Sequence, residues 1–157
     1  DMGVPVFDRK RVPIALEQVN GWYPLDLEEQ HYSLGAVSMG NPHALLQVDA
    51  IDTTDVAKLG AAISTNPAFP EGCNAGFAEI LDRRNISLRV YERGAAETNA
   101  CGSGACAAMS ILRRANMVDQ TVNVTQRGGN LTITWTGGED SVIMTGPATY
   151  VFKGIFE

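Results

Sequence analysis

The residue of this chain best suited to chemistry is a cysteine on a glycine-rich turn. Cys101 is followed by Gly102, Ser103 and Gly104, and then by small and apolar residues typical of a buried helix. A thiol at a helix N-terminus lies at the positive end of the helix dipole, so we expect its pKa to be lowered. The backbone N–H groups of the turn can bind a carboxylate or phosphate. Cys101 could instead be a small buried apolar residue, but the adjacent glycines favour the functional interpretation.

Three further groups of polar residues could complete an active site. Glu92 and Arg93 form a charge pair at the end of a predicted strand, shortly before the cysteine turn. Asn74 could hydrogen-bond an amine or a carboxylate with its amide, or could only shape a turn. Asn41 and His43 stand in a Gly-Asn-Pro-His sequence, which is either an ordinary turn or the place of a histidine that tunes a proton transfer. A thiol, an anion cradle and a charge pair together indicate an active site for a small anionic molecule.

Composition excludes several other classes of function. The chain has 157 residues, 45% of them hydrophobic, which suffices for one globular domain with its own core. Its formal net charge of −6 argues against binding nucleic acid or an anionic membrane by bulk charge. No apolar run approaches the ~20 residues of a transmembrane helix, and no signal peptide is visible. Three cysteines without a framework spacing predict a reducing, cytoplasmic environment.

The pattern along the chain predicts many short strands and few helices. A helix is expected from an N-cap at residues 53–55 to about residue 63, and a hairpin turn is expected at residues 20–21. A second helix, over residues 104–115, is apolar or small on every side and should be buried all round. We therefore predict an α+β domain in which a curved, mostly antiparallel or mixed sheet wraps around a central buried helix. The predicted strands are 4–7, 12–16, 22–27, 33–39, 44–48, 75–81, 86–91, 121–126, 131–135, 141–145 and 150–156.

Taken together, the polar groups make the chain resemble diaminopimelate epimerase. The resemblance lies in Gly-Asn-Pro-His at residues 40–43, in residues 70–77, in the Glu-Arg-Gly to Ala-Cys-Gly-Ser-Gly stretch of residues 92–104, and in Met-Thr-Gly-Pro at residues 144–147. The order and spacing of these motifs are similar to those of the family's C-terminal domain. The resemblance implies a diaminopimelate epimerase-like fold and a cytoplasmic isomerase of lysine and peptidoglycan-precursor biosynthesis. It also implies a reaction that uses neither pyridoxal phosphate nor a metal.

The resemblance assigns roles to individual residues. The family interconverts L,L- and meso-diaminopimelate with two cysteines on opposite faces of the α-carbon. One thiolate removes the α-proton, and the other thiol delivers a proton to the far face. By motif, Cys101 is one of these two catalytic residues, and His43 stands close to the reacting centre. The implied substrate contacts are Asn41, Asn74, Glu92, Arg93, Gly102 and Ser103.

Two departures from the family pattern and one absence accompany the resemblance. Ala96 stands where the family favours a glycine, and a positive φ at that position would be strained. Cys73 adds a thiol next to Asn74, beside the expected substrate site. The second catalytic cysteine belongs to an N-terminal domain, within an Asn-Cys-Gly type of motif that this chain lacks. We therefore expect residues 1–157 to be the C-terminal domain of a two-domain epimerase, with the last strand, about 149–157, as a candidate part of the missing N-terminal domain.

The residues leave other functions open at this point. The chain could be a proline-racemase-like or related isomerase, a hydrolase that uses Cys101 and His43, or a ligand-binding domain without activity of its own. The Glu-Arg-Gly and Gly-Asn-Pro-His motifs favour the diamino acid. A covalent acyl-enzyme would indicate the hydrolase, whereas exchange of an α-proton without one would indicate an isomerase. The resemblance also leaves a homodimer open for the full-length protein.

Overall fold

Nine strands and two helices build the chain within residues 1–28 and 30–156, the residues that the computed structural model describes. The predicted helices are both present, and the N-cap of the first is Asp55, whose carboxylate accepts a hydrogen bond from the Lys58 N–H at 3.1 Å. The elements are β1 (Tyr23–Leu27), β2 (Gln30–Ser38), β3 (Pro42–Gln47), α1 (Val56–Ser64), β4 (Asn74–Asp82), β5 (Asn85–Glu92), β6 (Ala96–Thr98), α2 (Gly102–Arg114), β7 (Thr121–Gln126), β8 (Gly129–Thr134) and β9 (Ile143–Thr145).

The strands form one mixed sheet. Its order is β1-β2-β3-β4-β5-β7-β8-β9, and β6 pairs with β5 beside this path. Only two of the described pairings are parallel, β3 with β4 and β5 with β7. These two connections contain α1 and α2, as expected because parallel neighbours need a long crossover. The predicted mostly antiparallel, mixed sheet is confirmed.

The two helices cover opposite faces of this sheet. Successive side chains of a strand point to opposite faces, and the strands at the centre of the sheet are apolar on both. Leu45 and Ala78 belong to the core that surrounds α2, whereas their neighbours Leu46 and Phe77 belong to a second core with α1. The sheet is therefore buried on both sides at its centre, which explains the nearly continuous apolar runs there.

The central helix α2 is buried along most of its length. All residues from Gly104 to Leu112 are buried, as the sequence predicts. The helix approaches β2 so closely that a Cβ on Gly35 would lie 2.2 Å from Cγ2 of Ile111. A glycine is required at that contact because no other residue leaves room for the helix. Within the described residues, no helix is long and apolar enough to cross a membrane.

Three predicted strands are wrong, and one observed strand was not predicted. Segments 4–7 and 12–16 form no strand: Val6 makes a single bridge to Ser38, and the chain around residues 9–13 turns instead. Residues 150–156 have no regular structure, because their apolar side chains meet no partner and are 78–105% exposed at five positions. Residue 157, the last residue of the predicted final strand of about 149–157, lies outside the described residues. Strand β6 was missed because its Ala-Glu-Thr sequence has no apolar alternation.

Candidate active site

The sheet topology brings three of the polar groups to one edge. Strands β3 and β4 are parallel, and His43 is the register partner of Asn74 at the point where both strands begin. Strand β5 runs antiparallel to β4, with Tyr91 opposite Ala75, so Glu92 at its end returns to the same edge. Asn74 and Glu92, which follow His43 by about 30 and 50 positions in the sequence, therefore lie at the same edge as His43.

Asn74 connects these groups through its side-chain amide. Its Oδ1 accepts a hydrogen bond from the Arg93 backbone N–H at 2.9 Å. Its Nδ2 lies 3.5 Å from the Pro42 carbonyl oxygen and 3.5 Å from Nε2 of His43. Because Asn74 is 5% exposed, the bonds to Arg93 and Pro42 satisfy an amide that would otherwise be costly to bury. Asn74 thus holds the Gly-Asn-Pro-His turn against the Glu-Arg-Gly turn.

His43 is neutral in this environment. It is 2% exposed, and burial lowers the pKa of its imidazole to about 4. Nε2 lies 3.0 Å from Oδ1 of Asn41, which makes Nε2 the protonated nitrogen of the neutral ring, donating to that oxygen. The ring is therefore a fixed hydrogen-bonding group at neutral pH. Its Nε2–H donates to Asn41, so the Asn74 Nδ2 group at 3.5 Å is a neighbour of this nitrogen and not a hydrogen-bond donor to it. The described hydrogen bonds include none between His43 and Cys101.

The charged residues of the Glu-Arg-Gly turn are held from opposite sides. Thr98 on β6 donates a hydrogen bond from Oγ1 to Oε1 of Glu92 at 2.5 Å, which orients the carboxylate. The Arg93 guanidinium donates from Nη1 to the Glu71 carbonyl oxygen at 2.6 Å. Glu92 is half-buried and Arg93 is exposed, so Arg93 keeps donors available for a bound anion.

Cys101 occupies the predicted position at the start of the central helix. It is the N-cap of α2, with φ −136° and ψ 107°, and is 6% exposed. Its Sγ lies 3.6 Å from Oγ of Ser103. Its backbone is held by Gln126, whose Oε1 accepts a hydrogen bond from the Cys101 N–H at 2.7 Å. The thiol thus stands at the end of the helix where the first N–H groups are unpaired.

The predicted lowering of the Cys101 pKa is wrong in this chain. Burial raises the pKa of the thiol, and the nearby carboxylate charge of Glu92 raises it further. The Ser103 hydroxyl and the Gly104 N–H lower it, but they do not compensate for the desolvation. Burial thus outweighs the effect of the helix N-terminus on this thiol. The effect of Glu92 also shows that the carboxylate and the thiol are neighbours, which joins the cysteine turn to the rest of the site.

The other two cysteines lie inside the protein. Burial raises the pKa of both Cys73 and Cys106 to about 12, and neither is exposed. Cys73 belongs to the core around α1, and its Sγ points to the Ile63 carbonyl oxygen at 3.9 Å. The expectation that Cys73 adds a thiol beside the substrate site is therefore wrong, because its side chain lies in the core around α1, whereas Asn74 contacts His43 and Arg93.

Gly102 is held in place by the Met-Thr-Gly-Pro motif. A Cβ at Gly102 would lie 3.2 Å from Sδ of Met144, which leaves little room for a side chain. Gly102 and Ser103 are both partly exposed. Their backbone N–H groups begin α2, so an anion could approach them closely without displacing a side chain.

Three residues of the site were missed by the sequence analysis: Thr98, Gln126 and Met144. Nothing in the sequence indicated a role for Thr98, apart from its place within the stretch of residues 92–104. Gln126, in contrast, follows Val122 and Val124 on the buried face of β7, and a polar residue at such a position indicates a specific internal partner. Within the described part of the chain, no group of three or more His, Cys, Asp or Glu residues could hold a metal ion.

The proteins to which this chain is similar in sequence include diaminopimelate epimerases. The family profile of diaminopimelate epimerase matches residues 35–151. The diaminopimelate epimerase of Coxiella burnetii is 48% identical over 153 residues, which cover 98% of this chain and 55% of that protein. That of Chromobacterium violaceum is 49% identical over 157 residues, 100% of this chain and 57% of that protein. The chain thus spans about half the length of the curated relatives it matches.

Solved structures with the same architecture are more distant in sequence. A hydroxyproline epimerase from Agrobacterium vitis has a TM-score of 0.59 at 15% identity, over 90% of this chain and 46% of that one. A probable proline racemase from Agrobacterium radiobacter K84 has a TM-score of 0.57 at 18% identity, over 90% of this chain and 47% of that one. These structures agree with the predicted α+β fold. With a family profile that covers most of its length and relatives identical at nearly half of its positions, the chain belongs to the diaminopimelate epimerase family.

Proposed function

We propose that this chain is the C-terminal domain of an epimerase that interconverts L,L- and meso-diaminopimelate, and that Cys101 is one of its two acid/base residues. The observation that carries the proposal is the position of the Cys101 thiol at the N-terminus of the buried helix α2, beside the carboxylate of Glu92. From Glu92 and Arg93 a continuous set of contacts leads through Asn74 to His43 and Asn41. The family membership of the chain supports the choice of reaction.

The proposed substrate contacts match the charges of a diamino dicarboxylate. A carboxylate of the substrate binds the first N–H groups of α2 at Gly102 and Ser103, and the exposed guanidinium of Arg93 is available to the other. The carboxylate of Glu92 binds a substrate ammonium. Removal of the α-proton leaves an electron pair that spreads onto the adjacent carboxylate oxygens, where N–H donors stabilise the developing charge. Asn41 and Asn74 provide the remaining proposed polar contacts to the substrate.

Substrate binding also changes the ionisation of the thiol. Without substrate, burial and the charge of Glu92 raise the pKa of Cys101. We expect an ammonium bound to Glu92 to compensate that charge and so to lower the pKa of Cys101 when substrate binds. Cys101 then exchanges a proton with one face of the α-carbon, and a second thiol serves the opposite face.

The second thiol is proposed to come from another domain. Cys73 and Cys106 are fully buried, and each has a pKa raised to about 12. The relatives are almost twice as long as this chain. The tail at residues 149–157 is proposed as the segment that packs on this other domain, because Tyr150, Phe152 and Phe156 are largely exposed here and large apolar side chains exposed together are typical of an interface.

Incorporation of solvent deuterium at the α-carbon tests the proposed function. In D2O, the full-length protein that contains this chain should label L,L-diaminopimelate and convert it to the meso form. Cys101→Ser should reduce the rate by at least about 100-fold, because a serine hydroxyl is a much weaker base than a thiolate. Cys73→Ala is the matched control, since its thiol lies in the other core. Labelling of proline but not of diaminopimelate, or trapping of an acyl-enzyme on Cys101, would refute the proposal.

A further inference from the structure

The side chain of Gln126 pairs with the backbone of the proposed catalytic cysteine. Gln126 is the last residue of β7 and is 7% exposed. Its Oε1 accepts a hydrogen bond from the Cys101 N–H at 2.7 Å, and its Nε2 donates to the Cys101 carbonyl oxygen at 3.4 Å. One primary amide thus engages both polar groups of a single residue.

This pairing requires the extended conformation that Cys101 adopts. An extended residue presents its own N–H and C=O on the same side, as in the pairs of an antiparallel ladder, and φ −136° with ψ 107° fulfils this condition. The Gln126 amide therefore replaces a neighbouring strand. Without it, the Cys101 N–H would be buried and unpaired, which is unfavourable.

The turn that follows Gln126 supports the same segment. Gly128 donates its N–H to the Asn99 carbonyl oxygen at 2.7 Å. A Cβ at Gly128 would lie 3.1 Å from that oxygen and 3.1 Å from Cβ of Ala100. The β7–β8 hairpin therefore holds residues 99–101 at two points, one on each side of Ala100.

We infer that Gln126 is a positioning residue that aims the Cys101 thiol at the reacting carbon. The direction of a side chain from an N-cap depends on the backbone of that residue being non-helical, and Gln126 fixes this backbone. It touches no substrate and acts only through Cys101. The inference rests on the proposed function, because it concerns the thiol that the proposed reaction uses.

Two substitutions in the full-length protein separate positioning from folding. Gln126→Met keeps the length of the side chain and removes both hydrogen bonds. Gln126→Glu is more informative, since a neutral carboxyl group can accept from the Cys101 N–H and donate to its carbonyl oxygen as the amide does, whereas a carboxylate cannot donate. Thr125→Ala, at the exposed neighbouring position of β7, is the control. Thermal unfolding establishes that each variant is folded.

The expected results distinguish a residue that positions the Cys101 thiol from one that only supports folding. Gln126→Met should lower kcat for α-proton exchange at least about tenfold with KM within about twofold, because small displacements of a reacting group reduce the rate strongly. For Gln126→Glu, the ratio of its kcat to that of the unsubstituted protein should rise as the pH falls from about 8.5 to about 5.5, where a buried carboxyl group becomes protonated. Thr125→Ala should leave both parameters unchanged.

Two results would contradict the positioning role of Gln126. A folded Gln126→Met variant with unchanged kcat, or a Gln126→Glu ratio that does not depend on pH, would overturn the inference. The rate of Cys101 alkylation by iodoacetamide gives the same comparison without any substrate, and its ratio between Gln126→Glu and the unsubstituted protein should also depend on pH. If the unsubstituted protein exchanges no α-proton while this alkylation ratio changes as expected, the proposed function fails and the role of Gln126 in positioning the thiol stands.

Discussion

Ala96 is the residue at which the backbone of the site is most clearly strained. It follows the turn between β5 and β6 and has φ +60°, a left-handed conformation that costs an alanine roughly 1 kcal/mol. We predict that Ala96→Gly increases the free energy of unfolding by about 0.5–1 kcal/mol in urea denaturation. Ala95→Gly is the control, since Ala95 does not have a positive φ and its replacement should destabilise. Equal destabilisation by both changes would contradict the prediction.

The same position shows what sequence can predict at the scale of residues. The motif indicated that position 96 requires a glycine-like backbone, and the structure has that backbone. The pKa of Cys101 could not be predicted in this way, because it depends on how deeply the thiol is buried and on its distance from Glu92. The orientation of Cys73 was missed for a related reason: the sequence does not give the register that turns Asn74 to the site and Cys73 to the core.

At the scale of elements, an ion pair holds the short strand β6 against β5. Arg89 donates from Nε and Nη2 to the two carboxylate oxygens of Glu97 at 2.7 and 3.0 Å, and from Nη1 to the carbonyl oxygens of Ile51 and Thr54. Arg127, in the turn between β7 and β8, adds a second contact to Glu97 at 2.9 Å. One side chain of β6 thus links strand β5, which ends at Glu92, to the hairpin that carries Gln126.

We predict that Glu97→Gln destabilises the chain by on the order of 2 kcal/mol at pH 7, because it leaves the largely buried Arg89 without its charge partner. Arg89 lowers the pKa of Glu97 in the folded state. The stabilisation is therefore fully present above the unfolded pKa of about 4.3 and is lost as the pH falls through the lower folded value. Urea denaturation of both proteins between pH 3 and pH 7 measures this difference.

A more exposed ion pair provides the control for this prediction. Asp119 contacts Arg83 and Arg84, whose side chains are 54% and 77% exposed. Asp119→Asn should therefore cost much less than Glu97→Gln. A cost for Glu97→Gln that is no larger, or that does not decrease at low pH, would show that the pair does not fix β6.

The elements that were predicted well are those whose own residues carry the pattern. Strand β5 alternates Ile86, Leu88 and Val90 toward the core, and β7 alternates Val122 and Val124. Strand β6 and the tail after residue 147 were predicted wrongly because their structure depends on partners. Glu97 pairs with Arg89 on β5 and with Arg127 in another hairpin, whereas the apolar side chains of the tail are largely exposed in the part of the chain that the structure describes.

At the scale of the whole molecule, the central helix presents one thiol to one side of the site. Its N-terminus carries Cys101, while Cys106 lies inside the core around the same helix and Cys73 inside the opposite core. Inversion at a held α-carbon requires a proton to leave one face and another to reach the opposite face. The described residues contain one thiol with this position, so the two-thiol reaction that we propose would find one of its two acid/base groups here.

We therefore predict that the isolated chain does not convert L,L-diaminopimelate to the meso form. Each general acid or base typically increases the rate by about 10²–10⁴-fold. Loss of the second thiol, together with the substrate contacts of the other domain, should therefore reduce inversion below detection. Chiral chromatography after incubation under reducing conditions measures conversion, and mass spectrometry in D2O measures exchange. Exchange without inversion, abolished by Cys101→Ala, would show that Cys101 reaches the α-carbon from one face. Conversion abolished by the same change would contradict the prediction, because a second acid would then have to reach the far face from a chain whose other two thiols are fully buried.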